Sequence, residues 1–175
     1  MPMIILDCKI AGSPPKGLAR KMPKIYKQNL NAVATHWHDK LLERHFTPGN
    51  NSRYQMEQRN PVYLEEIKKE QGVGQGRYVS DILKGQSLRW LRTFFSITGS
   101  QRHATIRMTA PTYFDQPIIG SFVDPKSGRL KHVTRQPDKP AEVTQVNNDD
   151  RATLTKFAQK DLQQRVELAL QGTNP

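Results

Sequence analysis

The sequence predicts an α+β fold: a small antiparallel sheet covered by a long N-terminal helix and a C-terminal helix, with long extended loops and an N-terminal arm. Three observations carry this expectation. Tyr26, Leu30, Val33, Trp37 and Leu41 recur at spacings of four, three, four and four, the apolar stripe of an amphipathic helix. Leu154, Ala158, Leu162, Val166 and Leu170 repeat the pattern near the other end. Between them, residues 88–110 alternate apolar and polar side chains around a turn, the period of half-buried strands.

Taken in order, residues 1–22 read as an arm. Residues 3–10 can form one short strand, but Gly12-Ser13-Pro14-Pro15-Lys16-Gly17 is a breaker cluster. The first helix is expected over residues 23–45, with Pro23 in its first turn and Ala34 and Leu42 widening its stripe. At ~1.5 Å per residue it is about 35 Å long, enough to cross a small sheet. Thr47-Pro48-Gly49-Asn50-Asn51-Ser52 stops it and opens a loop that reaches Asn60. Asn60-Pro61 has the form of an N-cap followed by proline at the first helical position, so a short helix is expected over 61–70, with Tyr63, Leu64 and Ile67 on one edge. Residues 71–79 are rich in Gly and Gln and read as a loop. Ser80-Asp81 can begin a helical turn that ends at Gly85.

The hairpin follows. Leu91, Thr93, Phe95 and Ile97 are expected on one side of its first strand, Ala104, Ile106 and Met108 on the same side of its second, and Thr98-Gly99-Ser100-Gln101 in the turn. Arg92 with Ser96, and Arg107 with Thr105 and Thr109, then face the other way. Trp90 falls at a position expected to be core. Residues 111–147 hold five prolines and few periodic apolar residues, with a turn at Asp124-Pro125-Lys126-Ser127-Gly128 and a last short strand over 143–146. The final helix is expected over about 150–170, with Asn148 as N-cap, Asp149 and Asp150 at the positive end of its dipole, Phe157 beside its stripe and Gly172 as its stop. No internal repeat is visible. Residues 23–175 therefore read as one domain with long loops at 46–60, 71–79 and 111–147.

Composition narrows the function. The 175 residues include 35% apolar side chains and 27 Lys+Arg against 16 Asp+Glu, a formal net charge of +11. The mean hydropathy is −0.72. No apolar run approaches the ~18 residues of a membrane span, and Met3-Ile4-Ile5-Leu6 is too short for the apolar segment of a signal peptide. One cysteine, Cys8, excludes an internal disulfide framework and a cysteine-based zinc site. These features predict a soluble intracellular chain with a polyanionic partner. The charge is unevenly placed. Residues 1–107 hold 18 Lys+Arg and 8 Asp+Glu, a net of +10, and the remainder holds 9 and 8. Residues 77–107 carry Arg77, Lys84, Arg89, Arg92, Arg102 and Arg107 against Asp81 alone, either ordinary solvated faces or a surface that meets a polyanion.

Candidate chemistry is sparse. His36, His38, Asp39, Glu43 and His45 are the densest titratable cluster. His36 and His38 lie two apart and so point to roughly opposite faces of a helix, whereas a zincin pair needs histidines at i and i+4. His38 and His45 share a face but lie about 10 Å apart along the axis. The cluster reads as polar surface flanking Trp37. Gly72-Val73-Gly74-Gln75-Gly76-Arg77 lacks the strand and the GK[ST] ending of a phosphate loop and reads as linker. Cys8 has no histidine nearby and reads as a small apolar residue. No catalytic constellation is visible and no cofactor is implied. Tyr54, Tyr63, Tyr78 and Trp90 lie among basic residues, a composition compatible with non-specific nucleic-acid binding.

The order of features resembles a known family. The long helix ends in Leu41-Leu42-Glu43-Arg44-His45-Phe46-Thr47-Pro48. Tyr54, Arg59-Asn60-Pro61-Val62-Tyr63 and Lys68-Lys69 follow. Then come Ile82-Leu83-Lys84-Gly85-Gln86-Ser87-Leu88-Arg89, the hairpin, and Ala110-Pro111-Thr112-Tyr113-Phe114. Over roughly residues 23–165 this resembles the neck and tail-completion proteins of tailed bacteriophages and prophages, which join the DNA-filled head to the tail. The resemblance implies a non-enzymatic virion protein that assembles as a ring, commonly hexameric, around the DNA channel. Such a protein would be made in the host cytoplasm and placed at the head–tail junction of the virion. Its neighbours would be further neck, portal or adaptor, or tail-tube proteins. It implies subunit contacts through loop residues Phe46, Tyr54, Arg59, Tyr113 and Phe114. The basic set of Arg77, Lys84, Arg89, Arg92, Arg102 and Arg107 would face the channel or an acidic partner ring. Asp115-Gln116-Pro117 stands where an acidic-glycine piece often follows the tyrosine, which leaves tail terminator, tail-completion factor and head-closure ring open.

Overall fold

The computed structural model describes residues 2–7, 17–47, 49–57, 85–110, 120–124, 126–133 and 138–172. The expected helix at 61–70, the Gly-rich loop at 71–79 and Cys8 lie outside them. The chain forms two units, each assembled from segments distant in sequence: one from residues 3–41, 95–108 and 146–175, the other from 1–2, 42–94 and 109–145.

The unit holding the sheet has the expected class. Strand β1 (Met3–Asp7), strand β2 (Phe95–Gly99) and strand β3 (His103–Met108) form an antiparallel sheet in the order β1-β3-β2. The segment read as an arm thus contributes an edge strand. Ile4 pairs with Ile106 and Ile106 with Ile97, so these three share one face. Ile4, Ala104, Ile106 and Met108 are buried, and helix α1 (Met22–His36) packs on β2 and β3. The chain turns between β2 and β3 through residues 100–102, with the Ser100 N–H donating to the His103 carbonyl (2.8 Å).

The long N-terminal helix is present but changes pitch. The α-helix ends at His36, a π-helical turn runs over Trp37–Leu41, and a 3-10 turn over Leu42–Phe46. Trp37, His38, Leu41, Leu42, His45 and Phe46 are all buried. Adjacent pairs recurring every four residues drift round a uniform 3.6-residue helix; a wider turn followed by a tighter one takes up the difference.

The C-terminal helix runs over Asn148–Leu170. Asn147, one residue before the expected cap, accepts the Asp150 N–H on its side-chain oxygen (2.8 Å). Gly172 stops the helix in the left-handed region at φ 79°. This helix packs along α1 rather than directly on the strands. Leu162 and Val166 meet a core of Leu18, Met22, Ile25 and Ala169. Asn29 ties the pair polar-to-polar, its Nδ2 donating to the Ala158 carbonyl (2.9 Å) and to Asp161 Oδ2 (2.8 Å). Leu170, expected on the stripe, is exposed.

In the other unit, two sequence expectations are corrected. The helical turn expected from Ser80-Asp81 to Gly85 falls, but for Gly85, outside the described residues; helix α2 (Gly85–Thr93) occupies the stretch read as the first half of a strand. Leu88 and Leu91, three apart, are its buried edge. The Phe94 N–H closes the last turn on Trp90, and the Phe94 carbonyl receives the Thr109 N–H (2.8 Å), so one residue joins helix to sheet. Residues 143–146 are not a strand. Helix α3 (Lys139–Thr144) begins at Asp138, whose side chain accepts the Ala141 N–H (2.9 Å), with Pro140 in its first turn. The expected turn at 124–128 joins strand β4 (Gly120–Val123) to strand β5 (Leu130–Val133) as a second antiparallel pair. In chain order the C-terminal helix is therefore α4.

Candidate functional site

The basic set separates. Arg77 and Lys84 lie outside the described residues. Arg89 and Arg92 sit on α2, in one unit; Arg102 and Arg107 belong to the sheet, in the other. Arg92 does not face away from the hairpin as expected, because it stands on a helix: its guanidinium donates to Glu43 Oε2 (2.8 Å), both side chains about one-third exposed. Arg89, Arg102 and Arg107 are exposed.

The residues expected in subunit-interface loops also change place. Phe46 and Tyr54 are fully buried. Phe46 ends the 3-10 turn, and Tyr54 stacks on His45 at 3.7 Å between ring centroids. His45 in turn donates from Nδ1 to the Glu142 carbonyl (2.9 Å), and Glu142 Oε1 accepts the Glu57 N–H (2.8 Å). The stretch read as an open loop is therefore tied to α3 by the Glu57 backbone N–H on the Glu142 side chain, and by the Tyr54 ring through His45. Arg59, Tyr113 and Phe114 lie outside the described residues.

The histidines disperse. His36 stacks on Phe157 (4.1 Å), His38 stacks on Phe95 (3.7 Å) and meets Asp39 through Nδ1 (2.9 Å), and His45 faces Tyr54. Among the described residues no group of three or more His, Cys, Asp or Glu gathers in metal-binding reach, and no helix is long and apolar enough to cross a membrane.

What the structure does gather is apolar surface. Trp90, expected in the core, is 38% exposed; Phe94, 47% exposed, packs against it with ring centroids 4.7 Å apart. The helical wheel explains this. Ser87, Leu88 and Leu91 fill the buried arc of α2, and at 100° per residue Arg89, Thr93, Trp90 and Phe94 follow one another round the opposite arc. The reading of residues 88–94 as a strand hid that arc. Met3 and Ile5, alternate residues of β1, form a second exposed pair, Ile5 also lining a cleft between β1, α1 and α4, and Val123 and Leu130 a third, directly opposed across the β4–β5 ladder.

The sheet-bearing unit also holds a cleft of about 770 Å³ between β1, α1 and α4. Leu6, Leu30, Val33, Leu154, Ala158 and Leu162 supply its apolar lining, and Asp7, Thr155 and Arg151 stand among its polar residues. Nothing in the sequence marked it, since its walls come from three separated segments.

Comparison with protein-family models, with curated proteins and with solved structures found no match.

Proposed function

We propose that this chain is a non-enzymatic structural protein of a tailed phage, forming a homo-oligomeric ring at the head–tail junction. The family resemblance suggests that setting. The observation that carries the reading is the pairing of exposed apolar side chains: Trp90 with Phe94, Met3 with Ile5, Val123 with Leu130. Single exposed apolar residues are ordinary, but adjacent ones on regular elements are what surfaces for other proteins look like. The ring would be hexameric, and neighbouring neck, portal or tail-tube proteins would cover the remaining pairs. Electron microscopy of the purified chain tests this: closed rings are expected, and particles of single-chain size, with portal or tail-tube proteins also present, would overturn it.

A second reading rests on Trp90 being exposed beside Arg89: non-specific binding of nucleic acid, by stacking and phosphate contact. A binder neutralising about six phosphates of duplex DNA loses affinity with a log–log salt slope of about −5. A ring protein gives little binding of free DNA at any salt concentration.

A further inference from the structure

We propose that copies of this chain join head to tail, the Trp90–Phe94 pair of one copy seated in the cleft between β1, α1 and α4 of the next. The inference rests on the ring reading and names the contact that would build it.

Both halves of such a contact are present in one chain. The aromatic pair is a preformed knob: two rings in mutual contact, one on α2 and one on the residue that follows it, with the helix's buried edge anchored by Leu88 and Leu91. Tryptophan is the residue most typical of an interface anchor, and an anchor is effective when it enters a pocket that excludes water. The cleft is the matching hole. Its volume, about 770 Å³, falls within the ~300–1,000 Å³ of sites that enclose ring-bearing ligands. Among the described residues its lining holds no aromatic side chain; Ala158 and Thr155, both small, leave room on the α4 wall.

Charge agrees with this pairing. Arg89 flanks the knob on the exposed arc of α2. The cleft offers the Asp7 carboxylate on one wall, and its other ionised group, Arg151, stands on a different element. An Arg89–Asp7 contact therefore orients the knob toward the β1 side. Knob and hole are different surfaces, so the contact is heterologous, and repetition closes a ring or extends a filament.

The wild type, three variants and one mixture test this by sedimentation velocity, with far-ultraviolet circular dichroism as the check on folding. The wild-type chain is expected to form a large oligomer. W90A/F94A removes the knob from exposed positions and leaves a folded monomer. Ala158→Arg fills the hole, and Thr155→Arg, at an exposed helical position, does the same where Ala158→Arg fails to fold. Mixing the knobless variant with a hole-filled one is the decisive arm. One intact knob then meets one intact hole, and the result is a heterodimer that grows no further. A mixture that stays monomeric while the wild type assembles overturns this contact and leaves the ring reading standing. Oligomers that survive in the single variants do the same. A wild type that is monomeric alone and with portal or tail-tube proteins overturns both. In that case quenching of tryptophan emission by a thymidine oligonucleotide, lost in Trp90→Ala, assigns the aromatic pair to nucleic acid.

Discussion

The two tryptophans of this chain do opposite work. Trp37 is fully buried at the start of the π-helical turn, whereas Trp90 stands 38% exposed on α2. Removing a large buried ring costs its transfer free energy and leaves a cavity. Trp37→Ala is therefore expected to lose about 3–5 kcal/mol in urea unfolding, a large share of the ~5–15 kcal/mol of a typical domain. Trp90→Ala, which removes a partly exposed ring and its contact with Phe94, should cost about 1 kcal/mol in the monomeric state; a loss as large as that of Trp37→Ala contradicts its exposed position. A second residue-scale test lies where the hairpin meets α1. A Cβ on Gly99 would fall 2.1 Å from Asn31 Oδ1, so Gly99→Ala forces Asn31 out of its rotamer. A loss of about 1–2 kcal/mol is expected, and Asn31→Ala in the same background should recover most of it, the coupling expected of residues in contact. Equal losses with and without Asn31 would disprove the contact. The sequence marked Gly99 only as turn chemistry; its close approach to α1 is tertiary and left no local signal.

At the scale of elements, capping sets the start of the C-terminal helix. Asn147 is expected to contribute about 1 kcal/mol through its bond to the Asp150 N–H, so Asn147→Ala should lower the thermal midpoint while Asn148→Ala leaves it nearly unchanged. The reverse order would move the cap to Asn148. Both long helices were legible because apolar spacing over several turns is a strong signal. So were β3, whose Ala104, Ile106 and Met108 all lie on the buried face, and the turn between β4 and β5. The misreadings have physical causes. In residues 88–97, Leu91, Thr93, Phe95 and Ile97 alternate like a strand, yet the same stretch places Leu88 and Leu91 three apart, and a short apolar pattern does not separate the two periods. Asp138 and Pro140 are a helix start that the valines at 143 and 146 obscured. The change of pitch over residues 37–46 answers to which side chains are buried, and helical spacing alone gives no sign of it. Phe46 and Tyr54 were read as surface because polar and breaker residues surround them, while stacking on His45 and the Glu142 bonds draw Tyr54 inward.

At the scale of the whole molecule, the low apolar content has two expressions. Each described unit has a small core, and several exposed apolar side chains sit in adjacent pairs, with Phe95 and Leu170 exposed outside those pairs. The division into two units, each gathered from separated segments, was not legible, because a sequence read in order presents them as one run of elements. The candidate surfaces followed the same rule. The basic residues were legible as a cluster along the chain, but Arg89 and Arg92 belong to one unit and Arg102 and Arg107 to the other. The net charge of +11 therefore describes the chain, its described arginines being divided between the two units. The central claim is that this protein acts by assembling with itself. Sedimentation velocity of the wild-type chain across a hundredfold range of concentration tests it most directly. A discrete, high-mass oligomer that W90A/F94A reduces to monomer is the predicted result; a single species of 20.0 kDa at every concentration, unchanged by portal or tail-tube proteins, would contradict it.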